Sequence, residues 1–260
     1  MKILVCVKHV PDTEAKVKIG ADGRSFDDSG VKMIPSPYDE FALEEALLLR
    51  DAKGGEVVVA CAGKKAAEAS LRQALAMGAD RAVLIQDDAL DRADALTRAR
   101  ALAALARAEG PDLVFTGKYG VGSDEGQVGP MLAEVLDLPH AAGVEHFEPG
   151  DGTFTARRGV EGAVEVLEGS VPAVVTWDKT AHEPRYPTLK GIMAAKKKPL
   201  DVKSPADLGL DAAELAAGPR VVWESLELPP SRKAGRRIEG EPKEAAKELA
   251  RILREEARVI

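Results

Sequence analysis

From Gly117 to Pro130 the chain reads Gly117-Lys118-Tyr119-Gly120-Val121-Gly122-Ser123-Asp124-Glu125-Gly126-Gln127-Val128-Gly129-Pro130, a stretch suited to gripping a ligand by its backbone. Its glycines permit dihedral angles and close approaches that side chains would block. Asp112 to Thr116, just before it, is a short run rich in β-formers, and Met131, Leu132, Val135 and Leu136 follow at helical spacing. In an open α/β sheet, such a strand-to-helix turn lies at the edge where a phosphate meets the amides of a helix N-terminus. The same turn also occurs in α/β proteins that hold no ligand.

Spacing narrows the chemistry. A dinucleotide fingerprint needs G-x-G-x-x-G, whereas after Gly120-Val121-Gly122 the next glycine, Gly126, comes one place late. No G-x-x-x-x-G-K-[ST] occurs, so the lysine and hydroxyl that hold a triphosphate and its magnesium are missing. A monophosphate stays compatible with amides and one or two hydroxyls; Asp124 and Glu125 would repel a more highly charged group unless they point away. Neither G-x-S-x-G nor H-E-x-x-H is present, and the four histidines lack metal-ligand spacing, so nothing calls for nucleophilic or metal chemistry. Cys6 and Cys61 lie in apolar runs and read as buried, unpaired thiols. A formal charge of -7 argues against a general nucleic-acid binder. Ile3 to Val7 is too short for a signal segment or a membrane span, which points to the cytoplasm without membrane insertion.

The elements that must position the loop alternate. Ile3–Val7, Val57–Cys61, Ala82–Ile85 and Asp112–Thr116 read as strands, and Ala66–Met77 and Ala93–Ala108 as helices. Another helix opens at a capping-box pattern, Ser36-Pro37-Tyr38-Asp39, and stops at Gly54-Gly55. This rhythm predicts an α/β fold with a doubly wound, mainly parallel, Rossmann-like sheet. Lys16 to Asp27 reads as a hairpin-like excursion. Beyond Pro139, the runs Val144–Phe147, Thr153–Val160 and Ala163–Leu167 predict an antiparallel addition, and Val171–Thr176 a β run that returns to the main sheet. His182 to Lys198 holds Pro184 and Pro187 and no periodic apolar face, which predicts a protruding loop. Ser204 to Gly218 reads as a short helical element capped by Ser204 and Asp207. After Pro229-Pro230, a basic linker with Arg232, Lys233, Arg236 and Arg237 leads to an amphipathic helix over 242–260, with Ala246, Leu249, Ile252 and Leu253 on one stripe. Such a helix either packs back on the domain or docks on another subunit; the pattern leaves both open.

The segment His182-Glu183-Pro184-Arg185-Tyr186-Pro187-Thr188-Leu189-Lys190-Gly191-Ile192-Met193, with Lys196-Lys197-Lys198 after it, resembles the signature of the beta, or small, subunit of electron-transfer flavoproteins. Leu4-Val5-Cys6-Val7-Lys8 with Val10-Pro11-Asp12, then Glu44-Glu45-Ala46, Ala74 to Arg81 and Pro172 to Thr176 are similar to the same family in the same order, nearly end to end.

The resemblance implies a heterodimer with a larger alpha subunit that holds most of the FAD. Electrons would come from flavin dehydrogenases such as acyl-CoA dehydrogenases and pass to a membrane quinone oxidoreductase or similar acceptor. The chain would then be an electron carrier in fatty acid oxidation rather than an enzyme. It further implies a structural AMP held by Cys6, by Ser36, Pro37, Tyr38 and Asp39, by Ala62, and by Gly117, Lys118, Tyr119, Gly120, Val121, Gly122, Ser123, Asp124, Glu125, Gly126, Gln127 and Val128. In bifurcating members of the family that site holds a second FAD. Gln127-Val128-Gly129-Pro130 leans that way, but Glu125 replaces their threonine, so AMP is the expected ligand. A stand-alone adenine-nucleotide sensor is the third reading. Leu189, flanked by Tyr186, Ile192 and Met193, matches the leucine with which these subunits hook a hydrophobic pocket on partner dehydrogenases. Lys190 and Lys196 to Lys198 would steer acidic partners or only solubilise the loop. The implied division is a nucleotide-binding domain over 1–230, including the loop 182–198, and a linker and helix over 231–260 packed on the alpha subunit.

Overall fold

In a computed structural model, residues 1–179, 182–210, 218–231 and 234–260 are described. In chain order the elements are β1 (Lys2–Cys6), a ribbon of β2 (His9–Pro11) and β3 (Met33–Pro35), α1 (Pro37–Lys53), β4 (Glu56–Gly63), α2 (Glu68–Met77), β5 (Arg81–Gln86), α3 (Ala95–Glu109), β6 (Leu113–Gly117) and α4 (Val128–Leu136). There follow β7 (His140–Val144), β8 (His146–Pro149), β9 (Thr153–Val160), β10 (Ala163–Ser170), β11 (Ala173–Trp177), α5 (Leu189–Ala195), β12 (Leu200–Lys203) and α6 (Pro242–Arg251).

Seven strands form one sheet in the order β12-β5-β4-β1-β6-β11-β7, and every pairing in it is parallel. The alternation along β1 shows why it lies in the middle. Ile3, Val5 and Val7 enter one core, Leu4 and Cys6 the other, so both faces are apolar and both must be covered. On the first face α1 and α2 supply Leu43, Leu47, Leu71 and Leu75; on the second α3 and α4 supply Ala99, Leu102, Leu105 and Leu132. Alanine at the helix contacts lets the backbones lie close to the sheet.

The antiparallel addition is β8, β9 and β10. It is tied to the first core through aromatic rings: Phe147 stacks on Phe154 at 5.3 Å and meets Phe115 edge-on at 5.9 Å. The sequence places Val144 in this addition, but Val144 instead ends β7, the outer strand of the main sheet. The short run His140-Ala141-Ala142-Gly143 carries too little β signal to be seen alone.

Two further expectations are corrected. The segment 182–198 is not simply a protruding loop, because it contains α5 and leads into β12, which pairs with β5 at the other sheet edge. The capping box at Ser36 is absent: Ser36 makes no side-chain cap, and Asp39 bonds elsewhere. At Ser204 the reciprocal cap does form, since Ser204 N–H donates to Asp207 Oδ2 at 2.7 Å and Asp207 N–H to Ser204 Oγ at 3.3 Å. It opens only a 3-10 turn over Ala206–Leu208; the rest of the expected helix, at 211–217, lies outside the described residues, as do Arg232 and Lys233. The excursion over 16–27 closes by a single bridge, Ile19 to Phe26. In α6 no residue is buried, and Leu249 is exposed. No helix among the described residues is long and apolar enough to cross a membrane.

Candidate functional site

Strand order reverses beside β1: the chain builds β4 and β5 on one side, then crosses to β6 on the other. The carboxyl ends of β1, β4 and β6 therefore open a crevice of the kind that takes ligands in doubly wound sheets. A cavity of about 170 Å³ lies there. Of the residues expected at the site, Cys6, Asp39, Ala62, Gly117, Lys118, Gly120, Ser123, Glu125, Gly126, Gln127 and Val128 line it. Val121 and Gly122 line an adjoining cavity of about 850 Å³, which shares Lys8, His9, Lys64, Asp91, Arg98, Ser123 and Glu125 with the first. Ser36, Pro37, Tyr38, Tyr119 and Asp124 line neither cavity.

Those outlying residues brace the loop. Ser36 Oγ donates to the Tyr119 carbonyl and accepts from Val121 N–H, both at 3.4 Å, and the rings of Tyr38 and Tyr119 meet edge-on at 5.5 Å. Asp39, in the first turn of α1, accepts from Lys8 N–H at 2.7 Å and from Gly117 N–H at 2.8 Å. One buried carboxylate thus ties the chain leaving β1 to the chain leaving β6. Burial raises its pKa from 3.8 to about 7, against the pull of those two hydrogen bonds and the Lys8 charge. Gly117 has to be glycine, since a Cβ there would stand 2.6 Å from Asp39 Oδ1 and 2.7 Å from the Tyr38 backbone. Gly129, at the start of α4, likewise lies where a Cβ would meet Thr176 Cγ2 at 2.1 Å. The helix N-terminus is seated tightly against β11.

Charges converge on the mouth between the cavities. Lys8 Nζ reaches Ser123 Oγ at 2.9 Å and the carbonyls of Gly120 and Val121 at 3.3 Å. Arg98, from α3, donates to the carbonyls of Leu90 at 3.4 Å and Asp91 at 3.0 Å. Burial lowers the pKa of both cations, and Glu125 opposes that shift in each. Lys64 is already paired, with Asp28 at 2.6 Å and Asp91 at 3.3 Å. Lys118 turns aside to Asp178 at 2.7 Å. His9 Nδ1 contacts Ser70 Oγ at 2.7 Å, while its Nε2 is buried and has no partner among the described residues. Burial pushes both thiols up, that of Cys61 to about 12, so neither is a nucleophile at neutral pH. No group of His, Cys, Asp and Glu among the described residues could hold a metal ion.

Sequence reasoning passed over Lys8, His9, Lys64 and Arg98 as site residues. Lys8 had a signal, being the first charged residue beyond β1 at its carboxyl end. Arg98 had one too: it falls on the Ala95–Ala99–Leu102 stripe of α3, which is otherwise buried and uncharged.

A second surface lies on the segment 182–198. Arg185 forks onto buried Glu44, with Nε and Nη2 each 2.9 Å from its oxygens, and His182 Nδ1 lies 2.8 Å from Glu45. Thr188 caps α5 by accepting from Gly191 N–H at 3.0 Å. Arg72 donates to the carbonyls of Ala195 and Lys198, and Lys198 Nζ returns to those of Leu75 and Ala79. Lys198 is therefore committed to the fold rather than free to steer a partner, unlike exposed Lys190, Lys196 and Lys197. Held in this way, α5 turns Leu189, Ile192 and Met193 outward at i, i+3 and i+4, beside Tyr186. Leu189 is 78% exposed and Tyr186 92%. The segment does have a periodic apolar face, contrary to the expectation, and it faces solvent.

Comparison with known proteins agrees along the whole chain. Residues 24–208 match the family described as "Electron transfer flavoprotein domain". "Electron transfer flavoprotein subunit beta" of Bacillus subtilis (strain 168) is 41% identical over 261 residues, covering 100% of this chain and 100% of that protein. The protein of the same name from Syntrophomonas wolfei is also 41% identical, over 100% of this chain and 98% of its own length. The Homo sapiens protein of that name is 38% identical over 92% of this chain and 93% of its own. With this fold, and relatives of such identity over nearly their full length, the chain belongs to the electron transfer flavoprotein beta-subunit family.

Proposed function

We propose that this chain is the beta subunit of a heterodimeric electron carrier. With an alpha subunit that holds most of an FAD, it takes electrons from acyl-CoA or related flavin dehydrogenases and passes them to a quinone oxidoreductase or similar acceptor. The flavin supplies the redox chemistry when bound; this chain contributes a scaffold, a nucleotide site and a docking surface. The nucleotide is AMP, and its role is structural.

The crevice at the carboxyl ends of β1, β4 and β6 carries this reading. The residues present fit an adenine nucleotide. Small residues, Cys6, Ala62 and Gly117, leave room for a flat base, and the α4 N-terminus has no acidic residue in its first turn to repel a phosphate. His9 Nε2 offers a buried polar atom still in want of a partner. A folded-state ligand of this kind adds RT ln(1 + [L]/Kd), about 2.7 kcal/mol at a hundredfold excess over Kd.

The adjoining cavity of about 850 Å³ favours a second reading, a bifurcating subunit with a second FAD in the same site. Denaturing the purified heterodimer and identifying the released nucleotides separates the two. One AMP and one flavin per heterodimer are expected; two flavins and no AMP would support the bifurcating reading instead, and a chain that purifies alone with bound nucleotide would favour a sensor.

The domain division follows the same reading. Residues 1–230 form the nucleotide-binding unit, and 231–260 lie on the alpha subunit; the uncovered stripe of α6, with Leu249 exposed, supports this. The Leu189, Ile192 and Met193 stripe supports docking of dehydrogenases at α5.

A further inference from the structure

Arg98 stands where an uncharged residue would complete α3. Its neighbours on the stripe, Ala95, Ala99 and Leu102, are buried, yet its guanidinium reaches the mouth shared by the two cavities. Two of its nitrogens are spent on the Leu90 and Asp91 carbonyls, which fix the plane of the fork. Among the described residues, its Nη1 has no hydrogen-bond partner and no carboxylate lies at ion-pair distance. Lys8 faces the same mouth, held by a hydroxyl and two carbonyls and likewise without a carboxylate in contact. The two cations repel each other, and burial lowers the pKa of both. Like charges withdrawn from water are costly unless an anion joins them. The chain's own candidate is Glu125, on the glycine loop, which lines both cavities with them.

We propose that Arg98 and Lys8 form an anion subsite that makes the crevice select phosphorylated over unphosphorylated adenosine, and that Glu125 serves there as a counter-charge which the phosphate displaces. The inference rests on the nucleotide reading above and adds the residues that set its specificity. A guanidinium with one edge anchored and another open is prearranged for a phosphate oxygen, so little ordering accompanies binding. Glu125 is carried between Gly122 and Gly126, both at positive φ, so its carboxylate sits on a short span of loop that a ligand can turn without unpacking a strand or helix.

The test is calorimetric titration of the nucleotide-depleted heterodimer with AMP and with adenosine. Wild type should prefer AMP, and Arg98→Ala should weaken AMP by about tenfold or more while moving adenosine by less than about twofold. Arg98→Gln, which keeps much of the volume and can still donate to a carbonyl, should show the same selective loss if the alanine variant assembles poorly. Glu125→Gln should tighten AMP and leave adenosine unchanged. Equal loss of both ligands in the Arg98 variants, or no loss of AMP, would overturn the subsite while leaving the nucleotide reading intact. So would a wild type that binds adenosine as well as AMP. Weaker AMP binding in Glu125→Gln would overturn the counter-charge. A wild type that binds neither would remove the nucleotide reading itself.

Discussion

Replacing Asp39 with asparagine tests which of two opposed effects governs the centre of the crevice. The carboxylate accepts one backbone N–H at each oxygen, from Lys8 and from Gly117. Asparagine has a single acceptor atom, so one of these donors would face an NH2 group. Leaving a buried N–H unpaired costs about 1–3 kcal/mol, and this penalty does not depend on pH. The wild type carries a cost that does. Its folded-state pKa, about 7, lies above the ordinary 3.8 because burial disfavours the charged form. Stability from holding the proton is therefore complete below about pH 4 and is lost as pH rises through about 7. Between pH 5 and pH 8 the wild type should lose about 3 kcal/mol relative to Asp39→Asn. For a chain of this size that is roughly 6–12 °C in relative melting temperature. The variant should be the less stable protein in acid, and the gap should close or invert by pH 8. Urea unfolding of both proteins across this range measures it. A gap independent of pH would mean that Asp39 does not titrate there. A gap that widens with pH would mean that the two N–H bonds and the N-terminus of α1 outweigh burial, which reverses the electrostatic argument.

Two predictions concern the outer surfaces. Leu189→Ala should raise the apparent KM for a cognate dehydrogenase about ten- to a hundredfold, the equivalent of one leucine buried on docking, with flavin and AMP content unchanged; unaltered kinetics, or loss of folding, would count against α5 as the docking surface. Deleting residues 242–260 should weaken association with the alpha subunit in sedimentation while the parallel sheet remains folded, and undiminished association would return α6 to a role within this chain.

What the sequence revealed follows from how local each signal is. The strands β1, β4, β5 and β6 and their helices were legible because each is a short apolar run, buried along most of its length and bounded by turn residues. The edge strands were not. His140–Val144 and Leu200–Lys203 have one strand neighbour each, are only partly buried, and carry too few apolar residues to stand out as a run. The glycine loop reads in the sequence as a candidate phosphate cradle, and most of it lines the cavity. The roles within the site were less legible. Ser36 and Asp39 have the spacing of a helix cap, and only the packing of α1 against β6 turns them towards the loop. At α5 the prolines at 184 and 187 concealed a helix of two turns, because a stripe of three apolar residues is too short to read as a period.

The candidate crevice and the proposed docking surface share one helix, and this accounts for the acidic residues inside α1. Asp39 fixes the crevice from its first turn, and Glu44 and Glu45 hold Arg185 and His182 about 7.5 Å further along the axis. Glutamates on a helix of this kind ordinarily face water, yet Glu44 and Glu45 are both buried. Removing Arg185 would strand the charge of buried Glu44; because a third of the Arg185 side chain is exposed, the cost falls below the roughly 3–5 kcal/mol of a fully buried pair. Arg185 is thus held far more firmly than a surface ion pair would hold it. The apolar stripe of α5 gains from this, because an exposed leucine contributes most to docking when the segment carrying it needs no ordering on contact. The same helix that anchors the stripe is clamped at its N-terminus by Asp39 to the chain leaving β1 and β6, at the candidate crevice. A ligand there would stiffen the base on which the docking surface stands.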